Sequence, residues 1–178
     1  MTVSESLEAP ALAAGPVVIV RLLELPIPLF AASQQHSDEL LREFQLMAGD
    51  HSSQESPHHG SRPVPVRLLA LVEAFGNSYG TFTGEAEARL ADAVRSGDSL
   101  LDELVYEVPV SAGAAAEQLG RMLDEADDFC RQGEHLLTLA TPADQVAFRR
   151  WYLSEFARQI NGEAPIRWPA YARSSGTG

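Results

Sequence analysis

His36, Glu39 and Glu43 fall at i, i+3 and i+7 of a segment with helical periodicity, so a histidine and two carboxylates share one helix face. Such a row has the ligand types for a divalent metal. Helical di-metal sites, however, draw ligands from facing helices, and no second Glu-x-x-His run lies elsewhere in the chain. The plainer reading is a partly buried His36 paired with Glu39 or Glu43. His51, His58 and His59 lie in or beside a Ser/Pro-rich stretch and read as solvated loop groups. Cys130 is alone, which excludes an internal disulfide and a cysteine metal cluster. Its place on an apolar helical seam makes it a structural thiol before a nucleophile.

A second group of chemistry-bearing residues is charged and aromatic. Asp124, Glu125, Asp127 and Asp128 cluster on one helix, on the face turned away from Leu119, Leu123 and Ala126. Arg149, Arg150 and Arg158 gather on the next, with Glu155, Trp151 and Tyr152 among them. The two helices can pair within the chain, or these six residues can form a protein-binding surface, since arginine and large aromatics anchor interfaces. Trp151 and Tyr152 point about 100° apart on a helix, so both do not readily face one core. Glu73 and Asn77 have the i, i+4 spacing of the magnesium-binding helix of GHKL-type ATPases, but the Asp-x-Gly-x-Gly loop such a site needs is missing. Gly-x-Ser-x-Gly, His-Glu-x-x-His and Gly-x-Gly-x-x-Gly are missing too, and no catalytic residue or cofactor is expected.

Charge narrows the partners. The formal net charge is −12, from 25 acids against 13 bases, and every base is arginine. An acidic chain without basic patches does not suit nucleic acid or anionic membranes. The lack of lysine excludes Schiff-base chemistry and a Walker-type phosphate loop. No apolar run is long enough to span a bilayer, and the N-terminus lacks the pattern of a signal peptide, so a cytoplasmic protein is expected.

These residues need elements to hold them. Val17–Leu23 is a β-branched run that reads as a buried strand, followed by a helix from Pro28 to about Met47 that Gly49 stops. Its apolar stripe is Leu29, Ala32, Leu40, Phe44 and Met47. A second helix is expected over Val66–Tyr79 and a third, capped by Thr83, over Gly84–Ser96. Leu104–Val110 reads as a second strand. Ser111–Arg131 is a helix with the seam Ala112, Ala116, Leu119, Leu123, Ala126 and Cys130. His135–Ala140 reads as a third strand, then Thr141 caps a fifth helix that Gly162 ends. The fold class is α+β, mostly helical, with about five helices and a small sheet of two or three strands; an all-α bundle is the alternative. The expected organisation is a leader over 1–15, a single globular domain over 16–169 with a mobile loop at 50–63, and a tail over 170–178. Three segments share the order strand, proline, helix.

The stretches HSDELLREF (36–44), LLTLATP (136–142) and FRRWYLSEFARQINGEAPIRW (148–168) together resemble a group of small actinobacterial proteins. Their genes often sit beside anti-sigma-factor kinases, STAS-domain antagonists and their phosphatases. The likeness runs from Leu22 to Trp168 and leaves out the 50–63 loop. It implies a non-catalytic regulatory module that contacts a protein of a partner-switching stress or developmental pathway, such as an anti-sigma kinase or STAS-domain protein. A homodimer is also compatible. The alternative is a small-molecule- or metal-binding helical protein with its site near His36.

Overall fold

The computed structural model describes residues 15–51, 64–132 and 141–176. Two ten-residue strands, β1 (Val17–Pro26) and β2 (Leu100–Pro109), pair antiparallel in a register from Val17↔Pro109 to Pro26↔Leu100. Both are rich in valine and leucine, which suit a pleated surface with one buried side. Val20 and Leu22 point inward from β1, opposite Tyr106 and Leu104. Glu24 then takes φ +56°, a left-handed conformation uncommon outside glycine, and after it Leu25 and Ile27 are the buried residues. That one backbone turn shifts the phase of the strand and keeps its end facing the core. Gln159 closes the free edge of β1: its side-chain amide donates to the Arg21 carbonyl at 2.8 Å, and its carbonyl accepts from the Arg21 N–H at 2.9 Å.

Two helices connect the strands: α1 (Ile27–His51) and α2 (Val64–Ser96). They are followed, after β2, by α3 (Ser111–Gln132), α4 (Ala143–Ile160) and the short α5 (Trp168–Ser174). The expected class, helices with a small sheet, is thus the observed one, with two strands among the described residues. The expected third strand at His135–Ala140, the leader up to residue 14 and most of the 50–63 loop lie outside the described residues.

The helix count is reached by a different route from the one expected. Residues 66–79 and 84–96 form one continuous helix, not two, and Thr83 does not cap a helix. Its hydroxyl donates back to the Gly80 carbonyl inside α2 at 3.4 Å. The physical reason is phase. Leu68, Val72, Phe75, Tyr79, Thr83, Ala86, Leu90 and Ala93 recur every three or four residues straight through the glycines and are buried or half-buried. Burial of one stripe outweighs the cost of Gly76, Gly80 and Gly84, about 1 kcal/mol each. Likewise α1 continues past Gly49 to His51. The stretch read as a tail from Ala170 instead contains most of α5. Trp168 packs at 5.5 Å from both Phe148 and Trp151, and Ala172 is buried. Gly97 and Gly162 end α2 and α4 with φ of +73° and +87°, as their positions in the sequence suggest.

Two apolar clusters result. One joins the inner face of the sheet to the C-terminal half of α2, the start of α3, and α4. The other joins Leu40 and Phe44 of α1 to Leu68 of α2 and to Met122, Ala126 and Cys130 of α3. Helices α3 and α4 approach closely at Gly113, where a Cβ would stand 3.4 Å from the Ile160 side chain. Two of the strand–proline–helix segments are seen as β1–Pro26–α1 and β2–Pro109–α3, held together by the strand pairing.

Candidate functional site

Between the two clusters the packing is incomplete. A cavity of about 320 Å³ is lined by α1, α2, β2, α3 and α4. Its size falls at the lower end of small-molecule sites, and its lining is mainly apolar. The sequence explains the space. Where α3 passes the cavity it presents Ala112 and Ala116, and α1 presents Ser33 and Ser37. Small residues on two facing helices leave a volume that the aromatics Phe30, Phe75, Phe148 and Phe156 enclose but do not fill.

Four polar features meet this volume. Tyr106 on β2 and Tyr152 on α4 join their hydroxyls in a short hydrogen bond. Burial, with Glu87 adding, pushes the Tyr106 hydroxyl up to about 12, offset in part by its bond to Tyr152. Burial and the neighbouring Tyr106 and Glu87 hold Tyr152 well above the usual phenol range. Both rings therefore stay neutral at physiological pH. Tyr79 donates to Ser111 at 3.3 Å. Ser33 and Arg149 also line the cavity, and Ser33 Oγ and Arg149 Nε are buried atoms that meet no hydrogen-bond partner among the described residues.

Arg149 is also the centre of a charged clasp. Its terminal nitrogen donates to Asp124 at 2.6 Å and to Asp127 at 2.7 Å. Arg150 reaches Asp124 from solvent at 3.2 Å. Asp127 is only 4% exposed and is further bound by the Thr141 hydroxyl, which in turn meets His36 Nε2 at 3.0 Å. The single hydroxyl proton of Thr141 goes to Asp127, so His36 must donate to the threonine oxygen. A histidine that donates to a hydroxyl does not deprotonate it. The row His36–Thr141–Asp127–Arg149 is therefore no nucleophile and base pair; it ties α1, α3 and α4 together at one side of the cavity. Thr141 spends its hydroxyl here, and α4 begins without a side-chain cap.

The expected site residues separate accordingly. His36 meets the Thr141 hydroxyl, and Glu39 accepts from Gln35 at 3.0 Å. Among the described residues no three His, Cys, Asp or Glu side chains converge as metal ligands, Glu43 included. Trp151 is fully buried and donates to the Ile166 carbonyl at 2.8 Å. Glu155 is 1% exposed and is satisfied by Arg158, Gln159 and the Ile166 N–H. These two belong to the interior, while Tyr152 and Arg149 face the cavity. Arg158 is held by Glu155 and Glu163. Of the six, Arg150 is the one whose side chain is mostly exposed.

The acidic cluster on α3 does not lie wholly on a solvated face, because Asp127 turns inward to Arg149. Cys130 is buried and its thiol is pushed up to about 11 by burial, with Asp127 and Glu43 adding. That leaves it the inert group its seam position suggests. Glu73 and Asn77 sit exposed on α2. No family model, curated protein or solved structure matches this chain. What sequence reasoning missed is the cavity itself; the available signal was the run of small residues on the α3 seam facing serines on α1. Among the described residues no helix is long and apolar enough to cross a membrane.

Proposed function

We propose that this protein is a non-catalytic binding module that takes a small, mainly apolar molecule into the space between α1–α4 and β2. The cavity is the observation that carries the proposal. At about 320 Å³ it has room for about ten non-hydrogen atoms, allowing roughly 30 Å³ for each water-sized group. Close-packed interiors hold few voids larger than a water molecule, so a volume of this size is unusual. No paired nucleophile and base, and no metal ligand set, meets it among the described residues. The test is titration calorimetry and thermal shift with straight-chain compounds of about ten heavy atoms. Ala116→Leu, which extends a buried wall residue into the space, should abolish binding and leave the protein folded. Binding that survives this substitution would place the ligand elsewhere.

Regulation by protein contact is a second reading, favoured by a specific surface. Val17, Ile19 and Val110 are 56%, 49% and 42% exposed at one end of the sheet, where the Val110 N–H donates to the Pro16 carbonyl. Apolar groups collected in this way suit a partner. The resemblance described above supports an anti-sigma kinase or STAS-domain protein in that role, and Arg150 offers an exposed charge. A pull-down with such purified partners, repeated with Ile19→Asp and Arg150→Glu, tests it. Undiminished capture by both variants would exclude these surfaces.

A further inference from the structure

We infer that the cavity selects a neutral apolar molecule bearing an oxygen acceptor, such as a ketone or ester carbonyl, over a carboxylate, an amine or a plain alkane. This rests on the reading of the cavity as a ligand site. The argument is a count of hydrogen-bonding capacity on the wall. Tyr106 and Tyr152 hold two hydroxyl protons and use one between them. Among the described residues no second acceptor meets either ring, so one O–H is available to a ligand. Tyr106 and Tyr152 both line the cavity. A buried donor left unmet carries a desolvation penalty, and an acceptor on the ligand removes it. An alkane leaves that penalty in place.

Desolvation argues against ionic ligands of either sign. The guanidinium of Arg149 is already matched by Asp124 and Asp127, so it offers an incoming carboxylate no spare counter-charge. A carboxylate would give up its hydration to a mainly apolar wall. An ammonium would give up its hydration as well, and Glu87, the carboxylate on the lining, is an exposed residue in contact with water.

The experiment compares four straight-chain compounds of about equal size on the full-length protein: methyl heptyl ketone, decane, octanoate and nonylamine. Calorimetric titration near neutral pH should give the ketone an affinity at least tenfold above octanoate and nonylamine, and severalfold above decane. In a Tyr106→Phe/Tyr152→Phe double variant the preference of ketone over decane should shrink while decane binds as in wild type. Octanoate or nonylamine binding as tightly as the ketone would overturn the desolvation argument. Equal binding of ketone and decane to the wild type would overturn the donor argument. Either result leaves the cavity standing as a site. Failure of all four compounds to bind overturns the site itself. The wild-type comparison decides the matter even if the double variant does not fold.

Discussion

Arg149→Met should be among the most damaging single substitutions that leave the apolar core untouched. Asp127 is 6% exposed at its side chain and rests on two partners, the Arg149 guanidinium at 2.7 Å and the Thr141 hydroxyl. Methionine keeps most of the stem volume of arginine but removes the charge, so Asp127 is left buried with one hydroxyl donor. Breaking a buried pair from one side costs about 3–5 kcal/mol. Asp124, the other partner, is 40% exposed and recovers water, so it adds little. For a chain of this size each kcal/mol moves the midpoint by roughly 2–4 °C, which puts the loss at roughly 6–20 °C. The second arm is Asp127→Asn in the Arg149→Met background. Removing the stranded charge should return a large part of the loss, so the double variant is more stable than the single. Urea titration followed by the fluorescence of Trp151, fully buried in α4, reads both. If Arg149→Met costs under about 1 kcal/mol, or the added Asp127→Asn lowers stability further, the pair is not a desolvated clasp and the reasoning fails.

Gly76, Gly80 and Gly84 in α2 each have open space where a Cβ would go, so single alanine substitutions should each stabilise by about 0.5–1 kcal/mol in thermal melts. Phe44→Ala should cost about 3–5 kcal/mol by urea titration, because the ring is fully buried and meets Phe129 edge-on at 5.8 Å. The raised tyrosines set an alkaline limit. A phenol whose folded pKa lies above its unfolded value adds stability that is complete below pH 10. That stability falls away as pH rises through about 12. Stability measured from pH 9 to pH 12 should drop steeply in wild type and less so in the Tyr106→Phe/Tyr152→Phe variant.

The legible part of this fold is what one residue type or one period decides alone. The β-branched run after Gly15-Pro16, the 4-3-4-3-4 seam of α3, and Gly97 and Gly162 as helix ends could each be read locally, and each is where it was expected. Thr83 shows where local reading fails. A threonine beside glycine has the chemistry of a cap, but the apolar phase on both sides of it is shared, and tertiary burial decides for one helix. The long-range equivalent is the cluster on α3 and α4. Opposite charges on two helices were visible in the sequence, and pairing within the chain was one of the outcomes they allowed. Whether Asp127 or Asp124 would be the buried partner depends on how α3 is rotated against α4, and the close approaches that accompany that rotation, Gly113 to Ile160 and Gly120 to Leu153, are long-range contacts.

The same rotation explains why Trp151 and Tyr152 divide their roles. With Gly113 drawn against the C-terminal turn of α4, Trp151 turns toward Ile166 and Trp168, and Tyr152 turns toward Tyr106. Against the expectation that two adjacent aromatics do not readily face one core, both rings pack into the same apolar cluster, Tyr152 at its margin, and neither is a surface anchor, because α4 has the α5 segment on one side and the cavity on the other. A helix placed between a wall and a void can bury both faces, and this carries the site from the surface of α4 to its interior side. The residues that looked like a binding surface therefore frame a pocket: Arg149 and Tyr152 line it, while Trp151 and Glu155 fix the loop that follows α4 through the Ile166 carbonyl and N–H. The position of those lining residues thus depends on packing at residue 166. Weakening that packing, by removing the Trp151 indole N–H for example, would alter the cavity wall without touching a residue that lines it.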